Sequence, residues 1–160
     1  MKSIIIYTTK YGSVEKAAKM LKSKMDGEVL LVNLMREKAP ELSGYDTVIL
    51  GGSVYAGSIQ KALKNYISKN LPELQNKRLG LFICGAQTAP EEIQRELESN
   101  FPPGLYSRAA AKDSFGYEFD LSKLNFLYRI MIGKIAGVRE SEFKLSEEKI
   151  ESFAKAIAAV

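Results

Sequence analysis

Apolar positions fall into short continuous runs that alternate with stretches of helical spacing. Residues 3–8 carry Ile4, Ile5, Ile6 and Tyr7 without a polar break, which predicts a strand covered on both faces. Val14, Ala17, Ala18, Leu21 and Met25 then predict a helix over 12–25. A second strand is expected at 29–32, a turn-like connection at 40–45, and a third strand at 46–52. Ile59, Ala62, Leu63, Tyr66 and Ile67 predict a helix over 59–70, followed by a fourth strand over 78–84. Pro90 suits the opening of a helix at 90–99, which Phe101-Pro102-Pro103-Gly104 stops. A fifth strand, blurred by alanines, is expected within 107–117. Residues 121–136 read as a strongly apolar helix and 146–159 as the last one, with Ser146 as its N-cap.

This alternation predicts an α/β domain with a parallel sheet and helices on both faces, and the whole chain, 1–160, reads as that one domain. Such sheets bind ligands at the carboxyl ends of their strands. Three segments matter there: Thr8 to Ser13, Gly52 to Gly57, and Cys84 to Thr88. They are small or hydroxylated and nearly uncharged. The first joins a buried strand to a helix start, so free N–H groups, hydroxyls and the positive end of a helix dipole meet at one point. That combination suits a phosphate.

Composition narrows the chemistry. Without histidine and with one cysteine, Cys84, the chain cannot build His-based nucleophile systems, a thiolate metal site or an internal disulfide. No metal is expected, and an organic cofactor is the remaining source of chemistry. The net charge of +4 is spread over interspersed basic and acidic residues, so no nucleic-acid partner is expected. Lys2 and Ser3 lead straight into strand, and no apolar run approaches the roughly 20 residues of a membrane span; a cytoplasmic location is the expectation. Three nucleotide motifs fail. No G-x-G-x-x-G follows the first strand; Ser58-Ile59 stands where a P-loop needs Lys-Ser/Thr; and Thr8-Thr9 and Gly52-Ser53 replace the carboxylates of a receiver domain.

Tyr7-Thr8-Thr9-Lys10-Tyr11-Gly12-Ser13, followed by Ala17-Ala18 and Leu21, resembles the FMN phosphate-binding signature of flavodoxins. The resemblance extends over essentially the whole chain. It implies a flavodoxin-like, doubly wound five-stranded parallel sheet in the order 2-1-3-4-5, with FMN as cofactor. By that resemblance Thr8, Thr9, Gly12 and Ser13 hold the phosphate, Lys10 neutralises it, and Tyr11 and Val14 complete the loop. Ser53, Val54, Tyr55, Ala56 and Gly57, with Gly85, Ala86, Gln87 and Thr88, hold the isoalloxazine ring, and Tyr55 stacks on it. Val14 stands where the family usually has threonine, which removes one hydroxyl from the phosphate site.

Carrier flavodoxins are typically acidic, whereas Lys10 is the one charge in these loops; a neutral or basic surrounding favours two-electron chemistry. Phe115-Gly116-Tyr117-Glu118-Phe119-Asp120 and the segment Leu124 to Ile135 look like the small menaquinone-dependent protoporphyrinogen oxidases. That likeness implies an oxidoreductase of heme biosynthesis acting on a porphyrinogen-like substrate near Tyr117 and Phe119, with a quinone acceptor and peripheral contact with the inner face of a membrane. No side chain identifies itself as a general base. Two alternatives stay open: an electron carrier serving a redox partner protein, and a flavin-free binding or regulatory domain.

Overall fold

The computed structural model describes residues 1–119 and 142–159. Five parallel strands form one sheet in the order β2-β1-β3-β4-β5: β1 (Lys2–Tyr7), β2 (Glu28–Asn33), β3 (Thr47–Ser53), β4 (Arg78–Cys84) and β5 (Ala111–Ser114). The expected order and orientation are those observed. Pairing is in register, Tyr7 beside Gly51 and Ser53 beside Cys84, so the ends of β1, β3 and β4 lie side by side.

Side chains alternate across the pleat into two cores. Ile4, Ile6, Val48, Leu50, Leu81 and Ile83 pack on one face with Leu63 and Ile67 of α2 (Lys61–Leu74), Ile93 and Leu97 of α3 (Pro90–Asn100), and Leu105 of α4 (Pro103–Arg108). Ile5, Tyr7, Ile49 and Phe82 pack on the other with Val14, Ala17, Ala18 and Leu21 of α1 (Ser13–Ser23). Ile150, Phe153 and Ile157 of α5 (Glu147–Ala158) close that second core. Ser146 caps α5 as expected, its hydroxyl accepting the Lys149 N–H at 3.2 Å.

Three expectations need correction. The helix expected to stop at 70 continues to Leu74 through a break at Asn70, whose φ of −115° takes it out of helical geometry just before Pro72. The single strand expected over 107–117 is three elements, because Pro103 opens α4 and Gly116, at φ +85°, turns the chain out of the sheet after β5. The chain then forms β6 (Gly116–Phe119), which pairs antiparallel with β7 (Glu142–Leu145), a strand the sequence reading did not foresee. The helix expected at 121–136 lies outside the described residues. Among the described residues no helix is long and apolar enough to cross a membrane.

Candidate functional site

The loop after β1 is built around Gly12, whose φ of +93° lies in the left-handed region that glycine enters without a Cβ penalty. Its N–H donates to the Thr9 hydroxyl at 3.0 Å, which folds the loop back on itself. Gly12 brings no side-chain cap, and among the described residues no hydrogen bond takes up the N–H groups of the first turn of α1, an arrangement that suits an anion. Val14 is fully buried in the second core, and its offering to that loop is its backbone N–H. The Ser13 hydroxyl is engaged too: it donates to the Glu118 carbonyl at 2.6 Å and accepts the Glu118 N–H at 3.0 Å, tying β6 to α1. Glu118 is 8% exposed, and its carboxylate pairs with Lys16 at 2.9 Å.

The loop after β3 is a tight turn. Tyr55 N–H donates to the Ser58 carbonyl at 2.9 Å and Ser58 N–H to the Tyr55 carbonyl at 3.1 Å. Its central residues, Ala56 at φ +52° and Gly57 at φ +81°, are both left-handed, the geometry of a type I′ turn. For alanine that conformation costs roughly 1–2 kcal/mol. Lys10 reaches across from the first loop and sets its ammonium 3.7 Å from the centre of the Tyr55 ring. Tyr11 meets the same ring edge-on, with centroids 6.0 Å apart.

The three loops surround a cleft of about 270 Å³, near the lower end of the roughly 300–1,000 Å³ usual for small-molecule sites. Of the expected residues it brings together Lys10, Tyr11 and Ser13; Ser53, Val54, Tyr55, Ala56 and Gly57; Gly85, Ala86 and Gln87; and Tyr117. Thr8, Thr9, Gly12, Val14 and Thr88 do not line it. Thr8 is buried beneath the loop, Thr9 faces a neighbouring hollow with Met35 and Gln60, and Thr88 is exposed. The Phe119 side chain lies outside the described ones.

Two further residues line the cleft. Cys84 is 2% exposed, and burial pushes its thiol pKa up, so it is a small apolar wall and not a thiolate. Glu96 reaches in from α3, with Gly85 and Val54 as neighbours. Burial first, and then the nearby Glu92, hold its carboxyl above the usual range. Its helical position, outside the three loops, carries no motif that marks it; Lys10 is the one charge within those loops, and Glu96 adds a carboxylate to the cleft from the helix.

The arrangement fits a flat, polar-edged cofactor. Tyr55 Oη and Glu96 Oε1 are both buried at the cleft with no hydrogen-bond partner among the described residues, and a ligand with polar edges would meet them. Backbone amides at the start of α1 suit a phosphate, and Tyr55 offers an aromatic surface. Among the described residues no group of His, Cys, Asp and Glu could hold a metal ion.

Comparison with known proteins agrees with this geometry. No curated protein sequence matches the chain. Among solved structures it is similar to oxidised flavodoxin 1 of Bacillus cereus, with a TM-score of 0.64 at 16% identity over 99% of this chain and 97% of that one. Oxidised flavodoxin 2 of Bacillus cereus gives 0.62 at 23% identity, over 99% and 98% of the two chains. Two-electron reduced flavodoxin of Megasphaera elsdenii gives 0.61 at 14% identity, over 98% and 99%. These likenesses concern the fold. A sequence model of the flavodoxin domain matches residues 4–146, and by that match the chain belongs to the flavodoxin family, whose cofactor is FMN.

Proposed function

We propose that this protein binds FMN in the cleft between the three strand-end loops and works as a flavodoxin-type electron-transfer protein. The observation that carries the reading is the convergence of Tyr55, Gly85 and the start of α1 on one cleft at the carboxyl end of a parallel sheet. Bound FMN supplies reversible acceptance of one or two electrons; the chain binds it, orients it and tunes it. The first-turn amides of α1 serve the phosphate, in a loop that the Thr9 hydroxyl holds closed by accepting the Gly12 N–H. Tyr55 covers the ring, and Lys10 on the tyrosine adds positive charge close to it. Glu96, which lines the same cleft, opposes that charge and disfavours extra negative charge on the ring, as a low-potential carrier requires. A redox partner protein then exchanges electrons at the exposed rim formed by Ala56 and Gly57.

A second reading, two-electron oxidation of a porphyrinogen-like substrate with a quinone as acceptor, has one observation in its favour. Tyr117 of β6 lines the same cleft, where it would contact a flat apolar substrate. The rest of the segment behind that reading, residues 124–135, lies outside the described residues.

Titration of the apo-protein with FMN, read by quenching of flavin fluorescence, tests the shared part of both readings. Stoichiometric quenching supports them; fluorescence unchanged from free FMN overturns both and leaves the flavin-free domain. Mixing the reduced loaded protein with an oxidised redox protein, and the oxidised loaded protein with porphyrinogen and quinone, separates carrier from enzyme.

A further inference from the structure

We infer that Asn100, at the end of α3 and outside the cleft, is the positioning residue that holds the cofactor-facing turn in its left-handed conformation; this rests on the FMN-binding reading above.

Asn100 is 6% exposed. Its side-chain oxygen accepts the Ile59 N–H at 2.9 Å, and its side-chain nitrogen donates to the Gly57 carbonyl at 3.1 Å and to the Glu96 carbonyl at 2.7 Å. One planar amide thus grips the turn at its third residue and again one residue beyond its end, and it is anchored to α3 by the third bond. Asn100 does not line the cleft, so the Gly57 carbonyl is drawn away from the ligand side. The turn needs such a hold. Ala56 is left-handed without being glycine, and the two bonds between Tyr55 and Ser58 close the turn without fixing it to the body of the protein. A turn free to relax would have to be reordered by each incoming ligand, and affinity would fall accordingly. The third bond, to the backbone carbonyl of Glu96 one helical turn earlier, fixes the amide on α3, so the turn after β3 is tied to the same helix that carries Glu96 into the cleft.

The test compares wild type, Asn100→Ala, Asn100→Asp and Thr9→Ala by titration with FMN and with riboflavin, which lacks the phosphate. Asn100→Ala removes all three bonds and is expected to weaken FMN and riboflavin by the same factor, about tenfold, because the turn faces the ring. Asn100→Asp keeps the acceptor for Ile59 but sets a carboxylate against two carbonyls, and is expected to lose at least as much. Thr9→Ala weakens FMN alone. Amide exchange in the apo-protein reports on folding: Ile59 loses protection in Asn100→Ala and keeps it in Asn100→Asp. Unchanged flavin affinity in both Asn100 variants, or a loss confined to FMN, overturns the assignment while leaving the function standing. A wild type that binds no FMN overturns the function, and this role with it.

Discussion

The Thr8 hydroxyl donates to the Gln60 side-chain oxygen at 2.9 Å, and that oxygen also accepts the Ser53 N–H at 3.2 Å. The Gln60 nitrogen returns two bonds to Ser53, to its carbonyl at 3.1 Å and its hydroxyl at 2.8 Å. One amide therefore joins the end of β1, on the phosphate side, to the end of β3, on the ring side. Gln60→Ala leaves a buried hydroxyl and a backbone N–H without partners. The expected loss of folding stability is about 1–3 kcal/mol in urea denaturation, with weaker FMN binding in the same protein. Full stability in the variant would mean that water replaces the amide and that the two loops are not coupled through it.

Ser13 makes a different prediction from the one its place in the phosphate signature suggests. Its hydroxyl serves both backbone polar groups of Glu118, 105 positions away. Ser13→Ala is expected to lower stability by about 1–3 kcal/mol through those two orphaned groups, while FMN affinity changes less than about threefold, because the Ser13 N–H is kept. A large fall in FMN affinity with stability intact would return the hydroxyl to the phosphate.

Glu96 links the cleft to pH. Its folded-state carboxyl lies above the ordinary 4.5, chiefly through burial, so the folded chain holds that proton more tightly than the unfolded chain. Its contribution to stability is full below the ordinary value and is lost as pH rises through the raised one. Glu96→Gln is expected to melt higher than wild type at pH 7, the two curves converging below pH 4.5, as thermal melts over that range would record. If the variant melts lower at pH 7, the carboxylate has a partner that stabilises its charge. With FMN bound, removing the negative charge is expected to raise the midpoint potential by roughly 40 mV, about 1 kcal/mol of screened interaction for one electron.

The strands and the three loops were legible in the sequence because burial on both faces and strand-to-helix turns leave local signatures. Ile4-Ile5-Ile6 and Val48-Ile49-Leu50 read as strands without reference to anything else, and Gly12 and Gly57 mark turns by residue type alone. The resemblance of Tyr7 to Ser13 to a phosphate loop was local for the same reason. Side-chain hydroxyls were a poorer guide, since a hydroxyl bonds whatever the fold brings near it: Thr8 takes Gln60, and Ser13 takes Glu118.

What tertiary structure decided is everything that depends on one element lying against another. Glu96 and Asn100 occupy helical positions whose polarity reads as solvated surface, until α3 packs beside the β3 loop and turns one toward the cleft and the other beneath it. The pairing of β6 with β7 likewise needs Gly116 to steer the chain out of the sheet. The sequence by itself determined the alternation of strands and helices and the small-residue rim of a ligand cleft, because hydrophobic period and backbone permissiveness act within a few residues. The charge beside the ring and the hold on its turn come from contacts about 40 positions apart, such as Ile59 with Asn100, whose strength depends on distances only packing sets.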